Sequence, residues 1–326
     1  MPTPVLAPDA PIFLVLNAKS GKGEAMNARE VIERGCTAAG RTLHTFPIDK
    51  RHPPKQQARA AVAAAQAAGG IVAVAGGDGT INATAQAVLG SGCAFGVLPQ
   101  GTFNYFGRNH GIPTDVEGAV EVLLTQQPQA VQVGKVNDRV FLVNASMGLY
   151  AALLEDRETY KSQYGRNRLV ALAAALFTLV RGHRPWTLRL SWKDEVQELR
   201  TTSLFVGNNA LQFEQVGVAE GDALTQGALA AVVMKPQGLL ARMGLLLRGA
   251  LRRLDDAKSI DTLSFRALDV EPARGSRHRR VKVATDGELA WMEMPLRFQV
   301  APEPLWLIRP AAPRAPETAA ARDTTA

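Results

Sequence analysis

A chain of 326 residues with 46% hydrophobic and 21% charged residues has the usage of a folded soluble protein, not a fibrous or disordered one. It is long enough for two domains with their own cores. A formal net charge of +7 favours anionic partners such as phosphate groups, nucleic acid or acidic lipid surfaces.

The opening stretch "MPTPVLAPDAP" lacks the basic and apolar segments of a secretion signal. The longest apolar run, 169–180, falls short of the roughly 20 residues that a bilayer span needs. A cytoplasmic protein is expected. Cys36 and Cys93 have neither CxxC nor metal-ligand spacing and read as buried thiols in a reducing compartment.

Along the first half, apolar strands alternate with helices. "IFLVLN" (12–17), "TLHTFPI" (42–48), "GIVAVA" (70–75) and "CAFGVLP" (93–99) read as strands, with helices around 24–39, 55–68 and 80–89. The runs are apolar throughout instead of at every second residue, which predicts a parallel sheet covered on both faces. After about residue 130, short segments follow one another with turn residues between them. They are "AVQVGKV", "RVFLVNASMG", "WTLRLSW", "TTSLFVGN", "ALAAVVM", "DTLSFRALDVE", "RVKVATDGE" and "PLRFQV", and they predict a mostly antiparallel β-sandwich domain interrupted by helices near 165–181 and 238–254. The expected division is an α/β nucleotide-binding domain at 11–130, a β-sandwich domain at 131–309 and a disordered tail at 310–326.

Three glycine-bearing turns follow three of the strands. "LNAKSGKG" supplies Asn17, Ser20 and Lys22; "GGDGT" supplies Gly76, Gly77, Asp78, Gly79 and Thr80; "LPQGTFN" supplies Gly101, Thr102 and Asn104. In a parallel sheet all three lie at the carboxyl ends of the strands, where open α/β folds bind ligands. Glycine lets backbone amides approach a phosphate closely. Two readings of Asp78 stand: a carboxylate beside phosphates with magnesium between them, or the N-cap of a tight turn. The spacing fits neither a Walker A loop nor a G-x-G-x-x-G dinucleotide turn.

The ordered set "NAKSGKG", "GGDGTINATAQAV" and "LPQGTFNYFGRNHGIP", with "VNASMG" and "TDGE" further on, resembles the diacylglycerol kinase catalytic domain family. That family includes bacterial lipid kinases, sphingosine kinases and ceramide kinases and is distantly related to NAD kinases. The resemblance implies ATP- and magnesium-dependent phosphorylation of a lipid hydroxyl in a cleft between the two domains. It makes Asn17, Ser20 and Lys22 the first nucleotide-contacting loop, and Gly76, Gly77, Gly79 and Thr80 the phosphate turn. Asp78 becomes the acid of the magnesium site, and Gly101, Thr102 and Asn104 the third wall. Asp286 and Glu288 become the catalytic acidic pair, with Glu288 as general base; from the residues alone, a surface carboxylate in a β-turn is the stronger reading of Glu288. Two departures from the family pattern are Tyr105, where an acid is usual, and Gln226, where a ligand of a second structural metal is usual.

On the lipid side, "GLLARMGLLLRGALRRL" (238–254) has an apolar arc opposite Arg242, Arg248, Arg252 and Arg253. It reads as a membrane-surface helix or as a helix packed on the sandwich. "ARGSRHRRVK" (273–282) adds further cations. Together they suggest transient, peripheral association with an anionic membrane. The helix at 169–180 packs in the core or lines an acyl pocket. The five histidines lack metal spacing and are assigned no role. The alternatives to a lipid kinase are a kinase of NAD or another soluble alcohol, and a nucleotide-binding regulator. Nucleic acid is not expected as a partner, because the aromatics that interleave basic residues in single-strand binders are missing.

Overall fold

The computed structural model describes residues 2–17, 24–149, 151–152, 185–209, 213, 224, 227–238, 260–273 and 279–311. The expected helices at 165–181 and 238–254, together with Ser20, Lys22, Gln226 and residues 312–326 of the expected tail, lie outside them. The first half forms β1 (Ile12–Leu16), α1 (Glu24–Ala38), β2 (Leu43–Pro47), α2 (Pro54–Ala68), β3 (Ile71–Gly76), α3 (Asp78–Val88) and β4 (Ala94–Pro99). Next come α4 (Tyr105–Asn109), α5 (Val116–Thr125) and β5 (Pro128–Val131). Strands β1, β3 and β4 are buried along their whole length. That accounts for their unbroken apolar sequence, because both faces are covered. Helix α1 packs with α5, and α2 with α3.

Helix α5 has no counterpart among the expected elements. Its start was marked by Asp115, whose carboxylate accepts the Gly118 amide at 2.7 Å, and by apolar residues at helical spacing, with Ala119, Val120 and Leu123 buried.

The second half contributes β6 (Gly134–Val136), β7 (Arg139–Phe141), β8 (Asn144–Gly148), β9 (Trp186–Trp192), β10 (Glu195–Thr201), β11 (Ser203–Gly207) and β12 (Leu229–Met234). These are followed by β13 (Ile260–Phe265), β14 (Ala267–Pro272), β15 (Arg280–Thr285), β16 (Glu288–Glu293), β17 (Leu296–Val300) and β18 (Leu305–Ile308). All but β18 form two antiparallel sheets, ordered β10-β9-β14-β17-β6-β7 and β13-β12-β11-β8-β15-β16. One apolar core joins the two, with Phe141, Leu190 and Phe298 from the first and Val206, Val233 and Val283 from the second. Two stretches that read as single strands each divide between the sheets. "RVFLVNASMG" becomes β7 and β8, and "DTLSFRALDVE" becomes β13 and β14. Strands that switch sheets form the corners of a sandwich.

The parallel sheet is ordered β2-β1-β3-β4-β18-β5. Its β18 comes from the far end of the chain and lies parallel to β4 and antiparallel to β5. The chain therefore leaves the first sheet at β5, builds the sandwich, and returns to the first sheet to finish. No helix among the described residues is long and apolar enough to cross a membrane.

The return of β18 is secured at its end by a histidine. Arg309 Nη1 lies 3.2 Å from His110 Nδ1, and Arg309 Nε donates to Gln129 Oε1 at 3.1 Å. The His110 ring meets Phe106 edge-on at 4.7 Å. Loss of hydration, helped by the Arg309 cation, pushes the imidazole down to about 3 from an ordinary 6.5. The unfolded chain therefore binds a proton below pH 6.5 that the folded chain refuses, and stability falls as pH drops from about 6.5 towards 3. Denaturant titrations at pH 7 and pH 4.5 should show a His110 contribution on the order of 2 kcal/mol. In His110→Gln that component of the pH dependence should vanish.

Candidate functional site

The carboxyl ends of β1, β3 and β4 meet in one place. Past β3 the chain turns through Gly76 and Gly77 directly into α3, with Gly77 extended at the N-cap and making no side-chain cap. Thr80, in the first turn of α3, folds back over Gly76: a Cβ on Gly76 would lie 2.9 Å from the Thr80 Cβ. Thr80 Oγ1 accepts Asn17 Nδ2 at 3.2 Å, so the residue that follows β1 is tied to the first turn of α3. The Gln100 amide donates to the Gly76 carbonyl at 2.9 Å, which carries the β3–β4 ladder into the turns. A Cβ on Gly101 would stand 3.0 Å from Gly77 Cα and 2.8 Å from Asn104 Oδ1. The two turns are therefore packed backbone to backbone, an approach that only glycine permits.

Asp78 serves this junction. Its Oδ2 accepts the Asn104 amide at 3.1 Å, with the Tyr105 and Phe106 amides alongside, so the carboxylate closes the start of α4 and not of its own helix. Asn104 adopts a left-handed φ of 50° and accepts the Gly101 amide through Oδ1 at 2.8 Å. Desolvation raises the Asp78 pKa against the pull of those amides. Its Oδ1 is enclosed and has no hydrogen-bond partner. Of the expected third wall, Thr102 is exposed and Asn104 is buried. Tyr105 stacks on Phe103 with ring centroids 5.6 Å apart.

The sandwich reaches this place through the β15–β16 hairpin. Thr285 pairs with Glu288 across a two-residue turn, in which Asp286 has φ 47° and Gly287 φ 88°. Positive φ at both positions is the Asp-Gly turn that matches strand twist. The Asp286 carboxylate is enclosed by donors. Oδ1 accepts the amides of Val143 and Asn144, each at 2.9 Å, and Oδ2 accepts the Leu142 amide at 2.7 Å and Asn82 Nδ2 at 2.6 Å. Burial pushes its pKa up while those donors pull it down. A carboxylate has about four acceptor positions. All are occupied here, so Asp286 clamps the hairpin turn to residues 142–144 and to α3. Glu288, by contrast, is exposed, and its Oε1 lies 3.7 Å from where a Cβ on Gly79 would stand.

Sequence reasoning did not single out Asn82 or Gln86, which dock α3 onto the sandwich. Asn82 Nδ2 also donates to the Val140 carbonyl at 3.1 Å, and Gln86 Oε1 accepts the Val140 amide at 2.7 Å. The available signal was their i, i+4 spacing on the helix that begins with GGDGT. Asn208 and Asn209 serve similar ends: Asn208 Nδ2 donates to the Leu142 carbonyl at 3.1 Å, and Asn209 Nδ2 to the Tyr105 carbonyl at 3.1 Å.

No group of three or more metal-ligating side chains occurs among the described residues. The carboxylate oxygen left over for a cation at the glycine turns is Asp78 Oδ1. That fits a magnesium ion held mainly by phosphates and water, not one in a protein cage.

Residues 11–136 match the family described as "Diacylglycerol kinase catalytic domain". A Pseudomonas aeruginosa protein named "Probable lipid kinase YegS-like" is 29% identical over 309 residues, 92% of this chain and 94% of that one. A Cronobacter sakazakii protein of the same name is 29% identical over 159 residues, and that match spans only 51% of its length. The crystal structure of a diacylglycerol kinase from Bacillus anthracis str. Sterne superimposes with a TM-score of 0.65 at 18% identity, covering 92% of this chain and 97% of that one.

The different settings of the two acids give different expectations. Asp286→Asn turns an amide group towards two N–H donors and should lower stability by about 2–4 kcal/mol, read as a drop in the denaturation midpoint. Glu288→Gln, at an exposed position, should leave that midpoint within about 0.5 kcal/mol of the parent.

Proposed function

Starting from a chain whose residues 11–136 belong to the diacylglycerol kinase catalytic domain family, we propose that the protein transfers the γ-phosphoryl group of ATP to the hydroxyl of a lipid such as diacylglycerol or a sphingoid lipid. The observation that carries this reading is the approach of the Glu288 carboxylate to Gly79, in the glycine turn that opens α3. In this reading the carboxylate is the base and the turn the phosphate cradle, on the two sides of the junction between the parallel sheet and the sandwich.

In this reading the triphosphate lies against Gly76, Gly77, Gly79, Thr80, Gly101 and Thr102. The lipid hydroxyl enters on the side of Glu288. As the new oxygen–phosphorus bond forms, Glu288 accepts the hydroxyl proton, and the bond from the γ-phosphorus to the leaving oxygen breaks to release ADP. Asp78 Oδ1 would hold magnesium that arrives with the nucleotide, and that cation would neutralise phosphate charge. Asp286 fixes the hairpin that carries Glu288, as a positioning residue. Tyr105, stacked on Phe103, has no carboxylate to offer the cation. The net charge of +7 suits peripheral association with an anionic membrane, where such substrates reside.

Incubation with radiolabelled ATP, magnesium and an extracted lipid mixture should give a phosphorylated lipid. Label appearing in NAD alone would overturn the reading. Glu288→Gln should lower kcat by roughly a hundredfold or more with ATP affinity kept. Gly101→Ala places a methyl group against Gly77 and Asn104, and should weaken ATP binding in calorimetry by roughly tenfold or more while Glu288 remains in place.

A further inference from the structure

Strand β16 is the outer edge of its sheet. Its partner β15 sends Val281 and Val283 into the sandwich core, together with Met292 of β16. By the alternation of strands, Arg280 and Lys282 share the opposite face with Leu289 and Trp291. Lys282 is paired directly with Trp291, and Arg280 with Glu293, the acid on that face. Trp291 is 59% exposed. The Arg280 guanidinium carbon lies 5.9 Å from the centre of its ring, and Lys282 Nζ 5.1 Å. The other exposed large apolar side chains among the described residues are Val5, Phe103 and Val196, and no cation is found over the Phe103 ring there.

A large ring left in water beside two cations is poorly placed for a core and well placed for a membrane interface. Tryptophan is favoured at headgroup depth because its ring is apolar and its edge polar, and nearby basic groups meet lipid phosphates. Glu288 begins the same strand. Trp291 lies three residues on, about 10 Å along the extended chain and, by the same alternation, on the opposite face of the strand.

We propose that this face of the β15–β16 hairpin is the surface by which the protein docks on an anionic phospholipid bilayer, with Trp291 entering the headgroup boundary and Arg280 and Lys282 meeting lipid phosphates. The choice of occupant rests on the lipid-kinase reading and on charge complementarity. The docking itself is measurable without turnover.

The test uses the full chain with vesicles of phosphatidylcholine alone, or mixed equally with phosphatidylglycerol. The parent should sediment with the mixed vesicles far more than with the neutral ones. Trp291→Ala should weaken partition roughly tenfold, Trp291→Phe should restore part of it, and Arg280→Glu should weaken it about fivefold or more, with circular dichroism confirming that each variant folds. Activity on a short-chain, monomeric diacylglycerol should survive in Trp291→Ala, while activity on vesicle-embedded lipid falls. Partition unchanged in Trp291→Ala overturns the proposal even if lipid is phosphorylated. It is overturned equally if the parent fails to bind mixed vesicles, or if Trp291→Ala only breaks a dimer. Partition that depends on Trp291, without phosphorylation of any lipid, leaves the docking surface standing and removes the kinase reading.

Discussion

The arrangement depends on one enclosed carboxylate. Asp286 accepts three backbone amides from residues 142–144 and the side-chain amide of Asn82, all within 2.9 Å. A buried charge left without partners costs several kcal/mol, so it holds a fold together only when its acceptor positions are filled. Here the donors come from a corner of the sandwich and from the helix that starts at the glycine turn. Satisfying the charge therefore fixes the hairpin to α3. Glu288 lies two residues beyond Asp286, and its position against Gly79 follows from that attachment.

A second carboxylate does comparable work inside the parallel sheet. A carboxylate taken out of water at a buried turn is costly unless something offsets its charge. The offset visible in the structure is the start of α4: one Asp78 oxygen is committed to the Asn104 amide, and the other remains without a partner. Close packing of Gly77 on Gly101 and the left-handed Asn104 complete the junction. The backbone of the turns after β3 and β4 is thereby held in fixed relation. Asn209, bonded to the Tyr105 carbonyl, extends the junction to the sandwich.

The parts legible in the sequence are those governed by local rules. The buried parallel strands showed as unbroken apolar runs, and the glycine turns at their ends showed as residue types that few other settings require. The Asp-Gly turn before Glu288 is equally local. The resemblance to diacylglycerol kinases placed these pieces in order and marked Glu288. What escaped were long-range decisions. Strand β18 resembles any short apolar segment until β4 and β5 offer it a slot. Asn82 and Gln86 are ordinary polar helix residues until β7 lies against them. Trp291 reads as one more core aromatic until the edge of the sheet leaves it in water.

By itself, then, the sequence determined the α/β and antiparallel character of the two layers and the places of the glycine turns, because periodicity and glycine geometry act over a few residues. The tertiary structure alone decided that Asp286 is a clamp and Glu288 the free acid, and that Asp78 closes α4. It also put a tryptophan between cations on an open edge. The reason is physical: two carboxylates, two residues apart on one hairpin, differ in role only through the donors that distant segments bring to one and withhold from the other.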